Sequence, residues 1–267
     1  FPRGVYSLRI ASTPTDDGSR MVIRVLYDVT SANEEQNGTN ALKALGFSDH
    51  HIDSFQIMMG RPSGLIIFSG PTGSGKSTTI KYELERVMAR HSDRHLVTVE
   101  DPPEYPIHNA TQIPLTGASG RSTSGRQEGY ADRIRATMRL DPDLMMIGEV
   151  RDGASAKAAI ESAQTGHKVW TTLHANNVWD ILDRYESLLQ DVGITNSRTL
   201  LGNVSNVSGL VAQRLVPTIC SECAVGLDDA IQGNRLHQDA IKQLETVFDG
   251  QDTSGIRVRG DWRGNWQ

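Results

Sequence analysis

The stretch that decides the fold of this chain reads Gly70-Pro71-Thr72-Gly73-Ser74-Gly75-Lys76-Ser77-Thr78. A short apolar run at residues 65–68 precedes it, and a helical pattern beginning near Ser77 follows it. The residues fit G-x-x-x-x-G-K-[ST], the pattern of a phosphate-binding loop between a strand and a helix. A glycine-rich turn beside a lysine is the alternative, but the flanking strand and helix favour the phosphate loop.

The amino-acid sequence of this loop suits the chemistry of phosphate binding. Glycines allow consecutive backbone N–H groups to turn inward and form a concavity that binds anions. The helix N-terminus behind them adds partial positive charge. Lys76 is expected to reach the β- and γ-phosphates of a nucleotide, and Ser77 to ligate Mg²⁺. On its own, the loop predicts a phosphorylated ligand.

The composition limits the class of protein. A length of 267 residues suggests about two domains, and 37% hydrophobic with 22% charged residues is ordinary for a globular protein. The net charge of −5 gives the whole chain no electrostatic reason to bind nucleic acid, although a local basic patch stays open. No apolar run is long enough to span a bilayer.

Apolar runs alternate with helical patterns through the middle of the chain. Strands are predicted at residues 65–68, 95–99, 144–147 and 169–173, and helices at 77–90, 130–139, 153–165, 178–190 and 196–210. This alternation predicts an α/β fold with a mostly parallel sheet covered on both faces. Ligands of such sheets bind beyond the carboxyl ends of the strands. Four polar residues fall at that edge and predict one site: Lys76, Glu104, Glu149 and His174.

The flanking segments give weaker signals. Residues 5–10 and 21–27 predict a hairpin, with turn residues at 13–18. Because the chain starts at Phe1 without a signal-peptide pattern, we expect the hairpin to end an N-terminal domain whose beginning is missing. Residues 28–40 are polar and predict a linker.

Four further segments complete the prediction. Apolar residues at helical spacing mark residues 41–60, namely Leu42, Leu45, Ile52, Phe55 and Ile57. Residues 116–129 are almost all Gly, Ser, Thr and Arg and predict a mobile loop. Residues 226–248 predict one or two helices, and residues 256–259 a short strand.

Two acidic segments follow predicted strands. The run at 144–147 leads to Glu149, and a carboxylate at such a strand exit beside a phosphate loop can hold Mg²⁺ directly or through water. Glu100, Asp101 and Glu104 follow the intervening strand, and hydrolysis needs a group that orients or deprotonates water. A solvated acidic turn is the alternative for this second segment.

His174 and three arginines each have two interpretations. His174 either senses the γ-phosphate or bonds to a catalytic carboxylate, or it is a structural residue at a strand end. Arg9, Arg20 and Arg24 lie on the predicted hairpin. There they form a solvated face or supply an arginine finger across a subunit boundary, where it would stabilise transition-state charge.

The chain has two cysteines, Cys220 and Cys223, spaced as C-x-x-C. So few cysteines fit a reducing compartment better than a disulfide scaffold. The pair could form half of a tetrahedral Zn²⁺ site, which needs two more ligands. No second C-x-x-C exists in the chain, and His237 is a poor isolated candidate.

Four blocks occur in order along the chain: GPTGSGKSTT (70–79), VTVEDPPEY (97–105), LDPDLMMIGEVRD (140–152) and TGHKVWTTLHAN (165–176). Together they resemble the Walker A, Asp box, Walker B and His box of the secretion ATPase superfamily. That superfamily includes the motors of type II secretion and of type IV pilus assembly and retraction. The resemblance extends from about residue 5 to residue 223.

The resemblance implies roles for individual residues. Residues 70–78 would bind ATP, and Ser77 and Glu149 would hold Mg²⁺. Glu104 matches the catalytic glutamate of the family, with Glu100 and Asp101 as the other acids of the Asp box. The remaining matches are His167 and His174 as the His-box pair, and Arg9 and Arg24 as arginines that reach the nucleotide from the N-terminal domain.

The resemblance also implies an architecture. It is a RecA-like P-loop ATPase core with a smaller, truncated N-terminal α/β domain. The expected boundaries are residues 1–30 for the end of the N-terminal domain, 31–40 for the linker, 41–215 for the core, and 216–267 for a C-terminal subdomain with the partial C-x-x-C element.

The implied function is that of a homo-hexameric ATPase that powers pilus or pseudopilus assembly, or protein secretion, at the bacterial inner membrane. It would be cytoplasmic and peripheral, held through an inner-membrane platform protein. The C-x-x-C resembles half of the zinc element of assembly-type members, which favours assembly over retraction, although zinc itself stays open. Alternatives are a retraction motor, a RecA-like nucleic-acid translocase, which the net charge disfavours, and a nucleotide-binding scaffold without turnover.

Overall fold

The computed structural model describes residues 5–27, 38–115, 123–216, 224–232, 241–242, 246 and 257–259. These residues belong to two compact units, one within residues 1–215 and one within residues 216–267. None of the helices in these ranges combines the length and apolarity that crossing a bilayer requires.

The first unit begins with an antiparallel hairpin of β1 (Val5–Thr15) and β2 (Gly18–Tyr27). This confirms the predicted hairpin. The predicted turn at 13–18 was too wide, because the strands pair as far as Thr15 and Gly18 and leave only residues 16–17 between them. Arg9 and Arg24 lie directly opposite each other in this ladder.

A six-stranded parallel sheet forms the centre of the first unit, in the order β5-β4-β6-β7-β3-β8. Its strands are β3 (Gly64–Ser69), β4 (Leu96–Glu100), β5 (Ala110–Pro114), β6 (Leu144–Ile147), β7 (Lys168–Leu173) and β8 (Val207–Ala212). Because all pairs are parallel, the carboxyl ends of the strands share one edge. The predicted parallel α/β sheet is therefore confirmed.

The helices of the first unit cover both faces of this sheet. They are α1 (Gly38–Ala44), α2 (Asp49–Met59), α3 (Lys76–Arg90), α4 (Thr123–Thr137), α5 (Gly153–Gln164), α6 (Val178–Gln190) and α7 (Ser197–Gly202). Alternate residues of β3 enter two separate cores. Leu65 and Ile67 pack with residues of α5 and α6, whereas Ile66 and Phe68 pack with residues of α2 and α3. Burial on both faces explains why residues 65–68 of this strand are all apolar.

Several local predictions were wrong. The predicted loop at 116–129 ends earlier, because α4 begins at Thr123, and residues 116–122 lie outside the described part of the chain. Residues 196–210 are not one helix but α7 followed by the edge strand β8. Residues 38–40 of the predicted linker form the start of α1, and residues 31–37 are outside the described ranges. The strand β5 was not predicted.

The predicted helix at 41–60 is in fact two helices, α1 and α2, separated by residues 45–48. Leu42, Ile52 and Phe55 are buried as the spacing implied. Leu45 and Ile57 are instead 43% and 75% exposed. Leu45 lies in the break after α1, and Ile57 follows Phe55 by two residues, about 200° around α2, so it lies on the opposite face.

The second unit contributes β9 (Ala224–Gly226), α8 (Leu227–Gln232) and β10 (Arg257–Arg259). The two short strands pair antiparallel, and Leu227 and Ala230 are buried in this unit. The strand predicted at 256–259 corresponds to β10, and part of the helix predicted within 226–248 corresponds to α8.

Candidate active site

A cavity of about 780 Å³ lies at the carboxyl-end edge of the sheet. It brings together residues from the loops that follow β3, β4, β6 and β7. Predicted site residues that line it are Arg24, residues 72–78 of the phosphate loop, Glu100, Asp101, Glu104, Glu149 and His174. Residues from separate predicted strands therefore converge at one place, as expected for a parallel sheet.

The phosphate loop joins β3 to α3 along one wall of this cavity. Gly73 and Gly75 adopt left-handed backbone conformations, with φ of 80° and 82°, which residues with a Cβ rarely adopt. Gly75 precedes the first residue of α3, and no described side chain caps that helix N-terminus. The first backbone N–H groups of α3 therefore remain available to an anion, and the helix dipole adds positive charge there.

Lys76 is the buried cation of the site, with 9% of its surface exposed. Its Nζ donates to the carbonyl oxygens of Gly70 at 2.8 Å and Pro71 at 3.2 Å. Burial lowers the pKa of Lys76, and the nearby carboxylates of Glu149 and Glu104 oppose that shift. A polyanionic ligand beside Lys76 would favour its charged form in the same way.

Glu149 follows β6 and is held from two sides. One carboxylate oxygen lies 3.1 Å from Nε2 of His174, and the other lies 2.6 Å from Nε of Arg151. The guanidinium of Arg151 also lies 3.8 Å from a carboxylate oxygen of Asp101. His174 thus contacts a carboxylate at a strand exit, as in one of the two functional roles that the sequence left open for it beside a structural one.

The segment after β4 separates its three acids. Glu100 is buried and accepts hydrogen bonds from Oγ1 of Thr98 at 2.7 Å and Nε2 of Gln112 at 3.0 Å. Burial raises the pKa of Glu100, and these hydrogen bonds oppose the shift. All three acids, Glu100, Asp101 and Glu104, line the cavity, and Glu100 is the buried one. Glu100 thus has its hydrogen bonds from Thr98 and Gln112, within the protein, although it lies at the wall of the cavity.

Sequence reasoning missed two residues of this region. Arg151 lies within the GEVRD block, and its position two residues after Glu149 was the available signal. Gln112 lies on β5, where it donates to Glu100 and to the carbonyl oxygen of Tyr105 at 3.0 Å. It fixes the acidic segment to the edge of the sheet. No local pattern marked it, since β5 itself was not predicted.

Other predicted residues are not brought to the cavity. His167 precedes β7, at the opposite edge of the sheet from His174, and its Nδ1 lies 3.0 Å from the carbonyl oxygen of Ser162. The expected His-box pair is therefore divided between the two edges. Arg20 is exposed and does not line the cavity. The side chain of Arg9 and both cysteines, Cys220 and Cys223, lie outside what the structure describes.

The residues present suit a magnesium nucleotide. Magnesium bound with a nucleotide uses one or two carboxylates and phosphate oxygens, and it needs no cage made only of protein ligands. The described residues contain no cluster of three or more His, Cys, Asp or Glu side chains that could hold a metal by themselves. The hydroxyl of Ser77 and the carboxylate of Glu149, both lining the cavity, are a ligand set of the kind that magnesium prefers.

Known proteins are similar to this chain over most of its length. The type II secretion system protein E of Pectobacterium carotovorum subsp. carotovorum is 37% identical over 217 residues, 81% of this chain and 39% of that protein. The type IV pilus assembly ATPase PilB of Thermus thermophilus is 34% identical over 245 residues, 86% of this chain and 25% of that protein. This chain thus spans two fifths or less of the length of these curated relatives.

A solved structure shares the fold. The pilus retraction motor PilT with bound ADP superposes with a TM-score of 0.56 at 25% identity, over 92% of this chain and 71% of that one. The core of the chain accordingly has the RecA-like ATPase fold, as predicted. The profile of the family described as "Type II/IV secretion system protein" matches residues 1–255. The chain belongs to this family of type II/IV secretion system proteins.

Proposed function

We propose that this chain is the ATP-hydrolysing part of a motor in a type II secretion or type IV pilus system. The observation that carries the proposal is the single cavity in which the phosphate loop faces Glu104, Glu149 and His174. Relatives named as a type II secretion protein and a pilus assembly ATPase, and the similar motor solved with ADP, support it.

The predicted residues of the cavity have different parts in the proposed reaction. Residues 70–78 bind the phosphates of ATP through backbone N–H groups, and Lys76 places its ammonium against the β- and γ-phosphates. Ser77 and Glu149 hold Mg²⁺, which neutralises charge on the phosphate oxygens when it is bound. Glu104 orients and deprotonates the attacking water.

Two further residues act on these groups. His174 restrains one oxygen of Glu149 through the 3.1 Å contact, and so would limit the orientations of the carboxylate that would hold Mg²⁺. Arg24 reaches the cavity from the hairpin and adds positive charge where the γ-phosphate develops negative charge. Arg9, opposite Arg24 in the ladder, is assigned the same role by resemblance.

The finer parts of the proposal concern the assembly. We place the chain in a homo-hexamer on the cytoplasmic side of the inner membrane, attached through a platform protein and without a nucleic-acid partner. Assembly is favoured over retraction by the C-x-x-C of Cys220 and Cys223. The retraction motor PilT is the reason to keep retraction as the second candidate. The test of this choice is zinc binding by the purified protein. If the wild-type chain binds zinc and the double variant Cys220→Ser with Cys223→Ser does not, the assembly role is supported.

The test is ATP turnover and ADP binding by the wild-type chain and two variants. Lys76→Ala is expected to lose both, because it removes the cation that faces the phosphates. Glu104→Gln is expected to keep ADP binding and to lose about 100-fold or more in turnover, the usual size of a general-base contribution.

Lys157→Ala and Glu161→Gln are the matched controls, since they change the same residue types on α5, outside the cavity. Both are expected to retain wild-type turnover. Unchanged turnover in Lys76→Ala and Glu104→Gln would contradict the assignment. Added DNA is expected to leave the rate unaffected, and stimulation that falls steeply with salt would instead indicate a nucleic-acid motor.

A further inference from the structure

Gln213 follows the edge strand β8 and touches the phosphate loop at both of its ends. Its backbone N–H donates to the carbonyl oxygen of Ser69, the last residue of β3, at 2.9 Å. Its side-chain Nε2 donates to the carbonyl oxygen of Ser74 at 2.8 Å. One residue therefore binds the backbone just before the loop and again near its far end.

The backbone of Gln213 also makes the closest approach to the loop. A Cβ on Gly70 would clash with the carbonyl oxygen of Gln213 and would lie 2.7 Å from Oγ of Ser74. A Cβ on Gly75 would lie 2.9 Å from Nε2 of Gln213. Glycine at positions 70 and 75 thus leaves the space that Gln213 occupies, in addition to the freedom it gives the backbone.

The residues after Gln213 extend this contact around the cavity. The guanidinium of Arg214 donates to the carbonyl oxygen of Asn176, two residues after His174, at 3.2 Å. The side chain of Leu215 lines the cavity near Gly75. The exit of β8 is therefore tied to the phosphate loop on one side and to the segment after β7 on the other.

Two polar groups in this contact have no hydrogen-bond partner among the described residues: Oε1 of Gln213 and Oγ of Ser74. Both are buried. Among the described residues, the side chain of Gln213 thus bonds to the loop only through its N–H donor. This bond to Ser74 joins residues that are 139 positions apart in the sequence. In the part of the chain that the structure describes, the segment after β7 makes no hydrogen bond to residues 70–78.

We propose that Gln213 is a positioning residue that holds the phosphate loop in its binding conformation before a phosphate arrives. It does not touch the phosphates. Its N–H donor restrains the carbonyl of Ser74, and this keeps the adjacent backbone N–H groups in the conformation that binds the ligand. The proposal rests on the proposed function only in taking ATP and ADP as the ligands of the loop.

The first test uses no nucleotide. In the ligand-free chain, Gln213→Glu keeps the shape of the side chain but replaces the donor with a second acceptor. Amide hydrogen exchange in peptides covering residues 70–78 is expected to become several-fold faster. Gln213→Met, which removes both polar atoms, is expected to do the same and serves if the glutamate variant does not fold.

Asn206→Asp is the matched control. Asn206 lies at the other end of β8, is equally able to donate from a side-chain amide, and bonds to the carbonyl oxygen of Leu200 at 2.9 Å. The same chemical change is thereby made at the edge away from the cavity. Exchange in residues 70–78 is expected to stay at the wild-type rate in this variant.

The second test measures ADP affinity and the kinetics of ATP turnover. The Gln213 variants are expected to bind ADP about tenfold more weakly, the effect of losing one hydrogen bond. KM for ATP should rise similarly, with kcat at saturating ATP within about threefold of wild type. Asn206→Asp should leave ADP affinity unchanged.

Equal loop exchange in the wild-type chain and the Gln213 variants would overturn the proposal. So would an equal loss of ADP affinity in Asn206→Asp, since the effect would then be one of general stability. Failure of the proposed function shows differently, as absence of ATP turnover in the wild-type chain. The exchange measurement does not depend on turnover, so the two failures are distinguishable.

Discussion

Lys168 is a buried cation at the amino end of β7, at the edge opposite the candidate site. Its side chain is 1% exposed. Nζ donates to the carbonyl oxygen of Met58, in the last turn of α2, and to Oγ of Ser208 on β8 at 2.9 Å. Burial lowers the pKa of Lys168 to about 8, with a further contribution from Arg61. The ammonium therefore joins a helix and two strands at a cost in solvation.

We predict a pH-dependent contribution of Lys168 to stability. Its pKa falls from 10.5 in the unfolded chain to about 8 in the folded one. Between these values the unfolded chain binds more protons, so the contribution of Lys168 to the free energy of unfolding rises with pH. The rise is at most roughly 3 kcal/mol, at about 1.4 kcal/mol per pKa unit.

The measurement is urea unfolding of wild type and Lys168→Met at several pH values from 7.5 to 10. The difference between the two free energies of unfolding is expected to grow with pH in favour of wild type. Subtraction removes the titration of tyrosines and other groups that both proteins share. A difference that stays constant across this range would show that Lys168 does not titrate there.

Individual site residues differ in how far sequence reasoning reached them. Lys76 and Glu149 were predicted because a short spacing relates each of them to a glycine loop or a strand exit. Gln112 and Gln213 were not, because each acts through a hydrogen bond to a distant part of the chain. The bond from Gln213 to Ser74 spans 139 residues, and no local pattern records such a contact.

At the scale of elements, α3 carries a buried ion pair behind the phosphate loop. Glu83 is 1% exposed and Arg86 is 3% exposed. The guanidinium donates to both carboxylate oxygens, at 2.8 Å and 2.7 Å. Burial raises the pKa of Glu83, and Arg86 opposes the shift. The helix that begins at the loop thus contains a buried ion pair in which each charge is stabilised by the other.

We predict that the two halves of this pair are unequal. Glu83→Met leaves a buried guanidinium that cannot lose its proton, and should destabilise the chain by roughly 3–5 kcal/mol. Arg86→Met should cost less, because Glu83 can take up a proton, and its cost should fall between pH 7.5 and pH 5.5. Urea unfolding measures both.

The double variant Glu83→Met with Arg86→Met completes the comparison. Without any buried charge it should recover most of the stability lost in Glu83→Met. Equal costs for the two single variants, unaffected by pH, would contradict this account of the pair.

Local patterns predicted the central strands and failed at the edges of the sheet. The runs at 65–68 and 144–147 are apolar throughout because β3 and β6 are buried on both faces. The edge strand β5 is only partly buried, and its sequence ATQIP carries no apolar run. At the other edge, the spacing of Leu200, Val204 and Val207 is also that of a helix. Val207 belongs to the strand β8 only because β8 pairs with β3.

At the scale of the whole molecule, the hairpin supplies a charge to the core. Arg24 lines the same cavity as the phosphate loop of its own chain, which favours completion of the site from within one subunit. The sequence had left a ring neighbour as the alternative source. An arginine of this kind contributes about 10³-fold or more to phosphoryl transfer where it acts as a finger.

We predict that Arg24→Ala loses turnover and that mixing it with Lys76→Ala does not restore it. If each subunit uses its own Arg24, a mixed ring contains no complete site from these two variants together. ATP turnover of the mixture, compared with the separate variants, is the measurement. Arg20→Ala, on the same strand but outside the cavity, is the control and should keep wild-type turnover.

Recovery of turnover in the mixture would show instead that a neighbouring subunit supplies the arginine.

The domain boundaries expected from the sequence also stay a prediction. They would be tested by limited proteolysis between residues 28 and 40, where cleavage should release the hairpin from the core.

The strand that leads into the phosphate loop takes both of its partners from far downstream, since Gly64 pairs with Lys168 and Leu65 with Val207. Such distant pairing slows folding, because a long segment must be closed before either contact forms. During synthesis β3 emerges early and waits with both edges unpaired, a state open to mispairing with other chains. The phosphate loop is therefore among the last parts of the chain to reach its folded conformation. A chain that ended before β8 would contain all four sequence blocks but would lack the strand that pairs with β3 beside the loop.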